Sequence, residues 1–158
     1  MRLTKSFYVG SFAGGGILAL IFLKVGPLPA VIVLGIYAGV VALIMWYKAW
    51  KAIQNGHART TPGKAIGFLF IPFYNFYWIF QAYWGFAKDY NSYISRHEIS
   101  TPKLPEGLFL ACCIVSILAG LLGRVPTASF VFSAIGVIIG IMVVIKVCDA
   151  VNSLPTEA

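Results

Sequence analysis

The feature that most constrains this chain is a set of four long apolar runs, at residues 7–23, 28–50, 106–123 and 127–148. A helix of about 20 apolar residues is needed to cross the roughly 30 Å of hydrocarbon in a bilayer, and each run is close to that length. The composition agrees, since 59% of the residues are hydrophobic and only 11% are charged. The runs predict an all-α integral membrane protein, organised as a single membrane domain over residues 1–158.

A stretch rich in glycine and proline separates the members of each pair of runs, at residues 26–29 and 123–126. Both residue types stop helices and favour turns, so the runs pair into two transmembrane helical hairpins. The first run could also be a cleaved signal peptide. However, it is long for a signal core, and Leu28 stands where cleavage after Ala30 needs a small residue. We therefore expect a retained first span.

Small residues recur four positions apart in the spans, a spacing that lets helix backbones approach closely. The pairs are Gly10/Gly14, Gly35/Gly39, Ser116/Gly120 and Gly136/Gly140. We expect these faces to serve packing inside the bundle, with a partner membrane protein or a homo-oligomer as the alternative. The second and fourth pairs also align without gaps when the two hairpins are compared, as do Ala49 and Ala150, which indicates a weak internal duplication.

The segment between the hairpins, residues 64–86, differs from the rest of the chain. Twelve of the twenty-four aromatic residues lie at positions 68–90, with Pro72 among them. Pro72 removes one helical hydrogen bond, and its ring clashes with the preceding turn. Two interpretations are open. The segment is either a helix broken at Pro72 that re-enters or lies in the interface, or a kinked fifth span, since its length is sufficient to cross.

The positive charges separate these interpretations. If residues 64–86 cross, seven Lys and Arg lie on one side and five on the other; if the segment returns, the count is ten against two, with Lys24 and Arg124 outside. Cytoplasmic loops are enriched in Lys and Arg, so the second count is the better match. We predict four spans plus a re-entrant or interfacial segment, with both termini cytoplasmic, and keep five spans as the alternative.

The net charge of +7 does not indicate a nucleic-acid-binding protein, because the cations stand singly at the ends of apolar runs. We attribute it to topology and to contact with anionic lipid headgroups. Cys112, Cys113 and Cys148 are expected to be buried thiols, and His57 and His97 lie in loops without a second histidine at ligand spacing. We predict no catalytic residue, no metal site and no cofactor, with membrane lipids as partners.

Several polar or amphipathic positions near the ends of the runs are expected to face water or headgroups. Residues 46–51 interleave two tryptophans and a tyrosine with lysines, as interfacial belts do. Residues 88–91 are expected to form a solvated helix end, and Lys146 with Asp149 a terminal ion pair. Thr60 to Pro62 predict the start of a helix, with proline at its first position.

The candidate residues for binding a lipid or a partner lie in the aromatic segment, where amphipathic rings and two carboxamides are concentrated. They are Pro72, Tyr74, Asn75, Tyr77, Trp78, Gln81, Tyr83 and Trp84. For Asn75 a structural role is the alternative, in which its side chain bonds carbonyl groups that Pro72 leaves free. For the rings, the alternative is an interfacial belt without a pocket.

The sequence around this segment resembles an uncharacterised family of small bacterial multi-pass membrane proteins. The resemblance rests on Trp46 and Trp50 at a helix end, a Pro-Gly-x-Ala start at residues 62–65, and a Phe-x-Phe-Ile-Pro-x-x-Asn core at residues 68–75. It covers about residues 46–91 and implies location in a bacterial inner membrane. It supplies no activity and no catalytic residue.

These observations favour a non-enzymatic multi-pass membrane protein that organises or modulates a partner protein or a lipid. A small channel or carrier is the alternative, because repeated hairpins around a broken helix occur in transporters. An enzyme acting on lipid is the least favoured class. It would have to use Asp89, His97 or Glu98, the acid–base groups near the aromatic face.

Overall fold

The computed structural model describes residues 2–25, 28–122 and 125–155, and all regular elements in these ranges are helical. In chain order they are α1 (Lys5–Val25), α2 (Leu28–Ala52), α3 (Pro62–Gly67), a 3-10 turn (Phe68–Phe70), α4 (Tyr74–Ile79), a π turn (Phe80–Trp84), α5 (Gly85–Arg96), α6 (Glu106–Leu121) and α7 (Pro126–Ser153). The all-α prediction is confirmed for these residues. The centres of both predicted hairpin turns, the side chains of Lys24 and Arg124, and the last three residues lie outside the described part.

Two of the described helices are long and apolar enough to cross a membrane, by length and composition: Ile32–Ala52 and Phe130–Ser153. The apolar helices at Lys5–Ile21 and Glu106–Leu121 are shorter. At 1.5 Å per residue, α6 is about 24 Å long, less than the roughly 30 Å of a hydrocarbon core. The described residues thus contain two candidate spans, where the sequence predicts four.

The four long helices pack as a bundle with α1 and α7 at its centre. Helix α1 contacts α2 along one side and α7 along the other, and α6 contacts α7. The aromatic segment lies on the remaining side, where α3 packs on α2 and the π turn packs on α6. It therefore connects the two hairpins on the side of the bundle away from the α1–α7 contact.

Most buried side chains lie at one end of this bundle. Trp50, Phe86, Tyr90 and Phe109 are fully buried there, together with Val147. The same end carries the start of α1, the end of α2 and the end of α7. Toward the opposite end the helices expose apolar side chains over most of their surface. The insertion of the aromatic segment explains this asymmetry, because it adds large rings to one end only.

Several buried positions repeat between the two hairpins at the offset that aligns position 35 with position 136. At the same offset Leu3 corresponds to Leu104, and both are buried. Tyr8 and Phe109 are likewise both buried, and so are Ala49 and Ala150. The internal correspondence predicted from the glycine pairs therefore extends to part of the core. It fails at Val41 and Met45, which are buried, because their counterparts Met142 and Lys146 are exposed.

Two asparagines hold the chain just before α1 and α6 in the same manner. Asn152 Oδ1 accepts from the N–H of Leu3 over 2.7 Å, and its Nδ2 donates to the Leu3 carbonyl over 2.8 Å. Asn91 makes the same two bonds to the backbone of Leu104, at 2.7 and 3.0 Å. Each asparagine thus satisfies both the N–H and the carbonyl of a leucine that lies outside the regular helices. This pair of bonds is called a clamp below.

The end of the bundle that carries the start of α1 and the ends of α2 and α7 is called the polar end below. Three predictions for residues at this end are wrong. Trp46 and Trp50 are buried in the core rather than exposed in an interfacial belt, because the insertion packs over them. Asp149 pairs with Lys5 at 2.7 Å and not with Lys146, since α1 lies directly against the end of α7. Residues 88–91 are not a solvated helix end, because Tyr90 is fully buried and donates to the Ala150 carbonyl over 3.1 Å.

The glycine pairs divide between the inside and the outside of the bundle. A Cβ at Gly140 would lie 2.6 Å from Cε1 of Phe12, so the ring of Phe12 on α1 packs into the space that this glycine leaves on α7. A Cβ at Gly136 would be in ordinary van der Waals contact with Val115 of α6, at 3.6 Å. At the other pairs with glycine at both positions, Gly10/Gly14 and Gly35/Gly39, an added Cβ would have no atom within 4 Å. Internal packing therefore accounts for the pair in α7 alone among these three.

Candidate functional site

Residues 62–96, called the insertion below, form a helical hairpin. The first arm is α3 with the 3-10 turn, the chain reverses at residues 71–73, and α4, the π turn and α5 form the second arm. The indole N–H of Trp78 on the second arm donates to the Ala65 carbonyl on the first over 3.1 Å. The two arms are thus antiparallel, and the insertion begins and ends at the same end of the bundle.

The first arm starts where the sequence predicts. The Thr61 hydroxyl accepts a bond from the N–H of Lys64 over 3.4 Å, and Pro62 stands in the first helical turn. Proline is favoured there because its missing N–H would have no helical partner in any case. The start of the insertion is therefore encoded locally.

The reversal is a strained turn centred on Phe73. Its backbone angles are φ 63° and ψ −41°, and the N–H of Tyr74 donates to the Pro72 carbonyl over 2.7 Å. This is a γ-turn with a positive φ, a conformation that costs a residue other than glycine about 1–3 kcal/mol. The backbone N–H of Asn75 donates to the Ile71 carbonyl over 3.0 Å. The backbone, and not the predicted side chain, thus closes the turn.

The turn carries large apolar side chains that are exposed. Phe73 is 86% exposed, and Phe70, Ile71 and Phe76 are exposed as well. These four side chains are called the tip. Apolar surface of this kind is stabilised by contact with hydrocarbon or with another apolar surface rather than with water. The tip is therefore the part of the insertion that is best suited to contact another molecule.

An aromatic cluster joins the two arms behind the tip. Tyr74 stacks on Trp78 with ring centroids 5.6 Å apart, and Phe68 meets Trp78 edge to face at 4.8 Å. Tyr77 adjoins Tyr74 at 5.8 Å. Such pairs contribute about 0.5–1.5 kcal/mol each beyond the area they bury. The cluster therefore stiffens the hairpin that presents the tip.

Arg59, in the loop before the insertion, binds the second arm through its backbone and its guanidinium. Its N–H donates to Asp89 Oδ2 over 2.9 Å and its Nε donates to Oδ1 over 2.8 Å. Its Nη1 donates to Gln81 Oε1 over 3.2 Å, and Gln81 Nε2 in turn donates to the Tyr77 hydroxyl over 3.0 Å. This network fixes the start of the insertion to the middle of its second arm.

The residues under Arg59 follow a spacing of four along the second arm. They are Tyr77, Gln81, Gly85 and Asp89. In an α-helix of 3.6 residues per turn this spacing drifts around the axis, but the wide π turn between residues 80 and 84 compensates for the drift. A Cβ at Gly85 would lie 3.0 Å from Arg59 Nη1, so glycine leaves the space for the guanidinium.

Two tryptophans of α2 anchor the π turn. The indole N–H of Trp50 donates to the Ala82 carbonyl over 3.0 Å in a buried environment. Trp46 packs edge to face on Tyr83, with ring centroids 4.4 Å apart. On the other side, the thiol of Cys113 donates to the Ile79 carbonyl over 3.5 Å. The π turn is thus held by both hairpins at once.

A cavity of about 140 Å³ lies between the second arm and α6 near the tip. It is lined by Asn75, Phe76, Ile79, Ser116, Ile117 and Gly120. Among the described residues, the Asn75 Oδ1 atom is buried without a hydrogen-bond partner. A buried acceptor of this kind costs about 1–3 kcal/mol when it stays unpaired. The Ser116 hydroxyl does not supply the missing bond, because it donates to the Cys112 carbonyl over 2.7 Å.

A second cavity, also of about 140 Å³, lies at the centre of the bundle. Its polar side chains are Tyr83, Cys112, Cys113 and Ser116, and the other described residues that line it are apolar or glycine. No charged side chain belongs to this described lining. Cys112 and Cys113 are free thiols, and their surroundings agree with the expectation of thiols packed within the bundle.

The structure does not bring the eight predicted residues into one pocket. Pro72, Tyr74, Tyr77 and Trp78 lie at or near the tip, while Asn75 lines the small cavity beside it. Gln81 belongs to the Arg59 network, and Tyr83 lines the central cavity. The ring of Trp84 lies under the ammonium group of Lys88, whose nitrogen is 3.4 Å from the ring centroid. Arg59, Gly85 and Asp89 join Gln81 in this network without having been among the predicted binding residues. The spacing of four along residues 77–89 would have indicated Gly85 and Asp89, but nothing in the sequence pattern indicates Arg59.

The histidines are not placed for metal binding in the part of the chain that the structure describes. His97 stacks on Tyr93 with ring centroids 4.4 Å apart, and its Nδ1 lies 2.9 Å from the Tyr93 carbonyl. Among the described residues, no three or more His, Cys, Asp or Glu side chains are grouped so that they could hold an ion.

Comparison of the chain with protein-family models, with curated proteins and with solved structures finds no match. The resemblance to a family of small bacterial membrane proteins therefore stays a prediction from residues 46–91. The site has to be interpreted from its own geometry.

Proposed function

We propose that this chain is a non-enzymatic multi-pass membrane protein of a bacterial inner membrane. In this proposal the four long helices cross the bilayer, and the insertion enters it from the side that holds both termini. The tip then contacts a lipid or a partner membrane protein, which the protein organises or modulates. This arrangement has four spans and not five, because the insertion starts and ends at the same end of the bundle.

The surface of the candidate spans supports location in a membrane. Only 22% of the residues in the apolar windows of Ile32–Ala52 and Phe130–Ser153 are buried. The core helix of a soluble protein would be mostly buried, whereas a helix surrounded by lipid exposes apolar side chains. Along α7, for example, Val131, Ile138 and Met142 are exposed on one face. These faces need an apolar solvent or partner.

The charges support the orientation. Lys5 contacts Asp149, and Lys48 lies over the Tyr8 ring, so the start of α1 and the ends of α2 and α7 share one end. The insertion and the loops on either side of it add Arg59, Lys88 and further cations to that end. Ten of the twelve Lys and Arg residues belong to these chain segments. This distribution is typical of the cytoplasmic side of a membrane protein.

The observation that carries the functional proposal is the exposed, strained tip. A phenylalanine with positive φ is unfavourable, and strain of this kind persists where the surrounding structure enforces it, often at binding sites. Here the aromatic cluster and the Arg59 network enforce it. The unpaired Oδ1 of Asn75 beside the tip adds an acceptor for a hydroxyl or amide donor. A lipid or a partner helix offers both an apolar surface and such donors.

The test is to purify the full chain in native-lipid discs and identify the proteins and lipids that accompany it. The tip variant is Phe73→Ser with Phe76→Ser, and the control is Ile36→Ser with Ile138→Ser, which changes two exposed apolar residues of α2 and α7. We expect one lipid class or one stoichiometric protein to be enriched with the wild type and the control and lost from the tip variant. Equal enrichment in all three, or none in the wild type, would refute the proposal.

The two other function classes have less support. A carrier needs a polar path, and the described lining of the central cavity is mostly apolar without a charged side chain. For an enzyme, Asp89 is already paired with Arg59, and His97 is stacked on Tyr93. The open glycine face of α2 at Gly35 and Gly39 offers a further surface for a partner helix.

A further inference from the structure

A broad cavity with a volume of about 640 Å³ opens at the polar end of the bundle, beside α5. Four cations line it, Arg59, Lys88, Arg96 and Lys103, and among the described residues that line it Glu106 is the single carboxylate. This cavity is called the cationic basin below. It lies at the opposite end of the insertion from the tip, so the two sites are physically separate.

The fold, and not the flexibility of long side chains, brings these cations together. Lys88, Ser92 and Arg96 follow one another at a spacing of four on α5, so they share a face of the helix. Lys103 approaches from the loop before α6. The clamp of Asn91 on the backbone of Leu104 fixes that loop one residue away. The basin therefore has two defined walls.

The cations of the basin are only partly neutralised by the protein. The carboxylate of Asp89 pairs with Arg59 at 2.8 Å, and the Glu106 carboxylate accepts from Asn91 Nδ2 over 3.1 Å. Within the described ranges, the side chains of Arg96 and Lys103 have no hydrogen-bond or ion-pair partner. Like charges held close together repel one another, so a bound anion would stabilise this arrangement.

The composition of the walls selects the kind of anion. Guanidinium and ammonium groups bind phosphate oxygens through charge-assisted hydrogen bonds, and Arg in particular offers a forked donor. Ser92 and Ser95 add two exposed hydroxyl groups to the same walls. Trp84 lies directly beneath Lys88, and tryptophan is typical of the headgroup level of a bilayer.

We propose that the cationic basin binds a phosphate group. The source is either the headgroup of an anionic phospholipid or a soluble phosphorylated molecule, and both would place the phosphate between Arg96, Lys103 and Lys88. This binding goes beyond the engagement of the tip and does not depend on it, because no tip residue lines the basin.

The experiment is isothermal titration calorimetry on the full chain in a non-ionic detergent at low salt. The probes are short-chain phosphatidylglycerol, glycerol 1-phosphate and inorganic phosphate. The basin variant is Arg96→Gln with Lys103→Gln, and the control is Lys51→Gln with Lys64→Gln, which removes the same charge from exposed positions outside the basin. All four side chains are exposed, and circular dichroism of each variant checks that the fold is kept.

We expect at least one probe to bind the wild type and the control, and to bind the basin variant about tenfold more weakly. If only phosphatidylglycerol behaves in this way, the source is a lipid headgroup; if the soluble phosphates do so as well or instead, it is a soluble molecule. Absence of binding to the wild type, or equal weakening in the control, would overturn the proposal. Neither result depends on whether the tip variant loses its lipid or partner.

Discussion

At the scale of single residues, two asparagines contribute to this fold by bonding backbone groups. Asn91 and Asn152 each bond both the N–H and the carbonyl of a buried leucine that precedes a long helix. A buried backbone group without a partner loses the full value of its hydration, which is larger than the net value of a typical hydrogen bond. The position of Leu3 and of Leu104 therefore depends on one side chain in each case.

We predict that Asn91→Leu and Asn152→Leu each lower the free energy of unfolding by about 1–3 kcal/mol, because each leaves two backbone groups unpaired. Urea unfolding in detergent, followed by circular dichroism, measures the change. The control is Asn55→Ala, which removes one bond to the N–H of His57 in an exposed loop and should change stability by less than about 0.5 kcal/mol. A clamp variant as stable as this control would show that the clamp is dispensable.

Gly85 provides a second prediction at this scale. Gly85→Ala should lower the free energy of unfolding by about 1 kcal/mol, because the added methyl group displaces Arg59 from Asp89 and Gln81 and so outweighs the better helix propensity of alanine. Gly67→Ala, at a helical position with nothing within 4 Å, should instead stabilise by about 0.5–1 kcal/mol. Thermal unfolding in detergent measures both changes.

A double-mutant cycle tests whether the clash with Arg59 causes the destabilisation by Gly85→Ala. In an Arg59→Ala background the clash is absent, so Gly85→Ala should become stabilising, like Gly67→Ala. If Gly85→Ala stabilises the protein that still carries Arg59, the guanidinium is not held where the hydrogen bonds place it.

At the scale of elements, the insertion is a hairpin because several contacts hold its second arm antiparallel to its first. Pro72 only prevents a regular helix from continuing. The direction of the second arm is set by Trp78 bonding Ala65, by Arg59 bonding Asp89, and by Trp50 bonding Ala82. A kinked span and a re-entrant hairpin therefore share the same proline and differ in these contacts.

Spin labels distinguish the two shapes. With labels at Lys64 and Lys88 in a chain whose three cysteines are replaced, pulsed electron paramagnetic resonance should give a distance below about 20 Å for adjacent arms. One continuous helix would place the same positions about 36 Å apart. The reference pair is Thr127 and Ser153 on α7, which should lie about 39 Å apart. A distance near 36 Å between positions 64 and 88 would instead indicate a kinked span.

At the scale of the whole molecule, the hairpin shape of the insertion sets the membrane topology in the proposed arrangement. If the insertion returns, the loops on either side of it share one face of the membrane with both termini. Single cysteines at His57, Ser95 and Val125, all exposed positions, can be labelled with a membrane-impermeant maleimide in intact and permeabilised cells. We expect positions 57 and 95 to react from the cytoplasmic side and position 125 from the opposite side. Labelling of 57 and 95 from opposite sides would instead indicate five spans.

The sequence was sufficient to predict the four long helices, because apolar runs and glycine–proline turns act through local physical effects. The bounds of α2 and α6 agree with residues 28–50 and 106–123 to within about two residues. The break at Pro72 and the helix start at Pro62 were predictable for the same reason, since proline disfavours a regular helix interior and is favoured in the first helical turn. The predicted number of spans exceeds the two candidate spans in the described residues, because hydropathy alone does not settle whether a run near 24 Å crosses.

The direction in which side chains face was decided by the tertiary structure. Trp46 and Trp50 have the sequence pattern of an interfacial belt, yet they are buried because the insertion lies over them. Asp149 has a lysine three residues away, but it pairs with Lys5 because α1 packs against α7. Asp89 faces Arg59 across a reversal of the chain. Each of these outcomes depends on contacts between distant segments, which hydropathy, charge and local spacing do not specify.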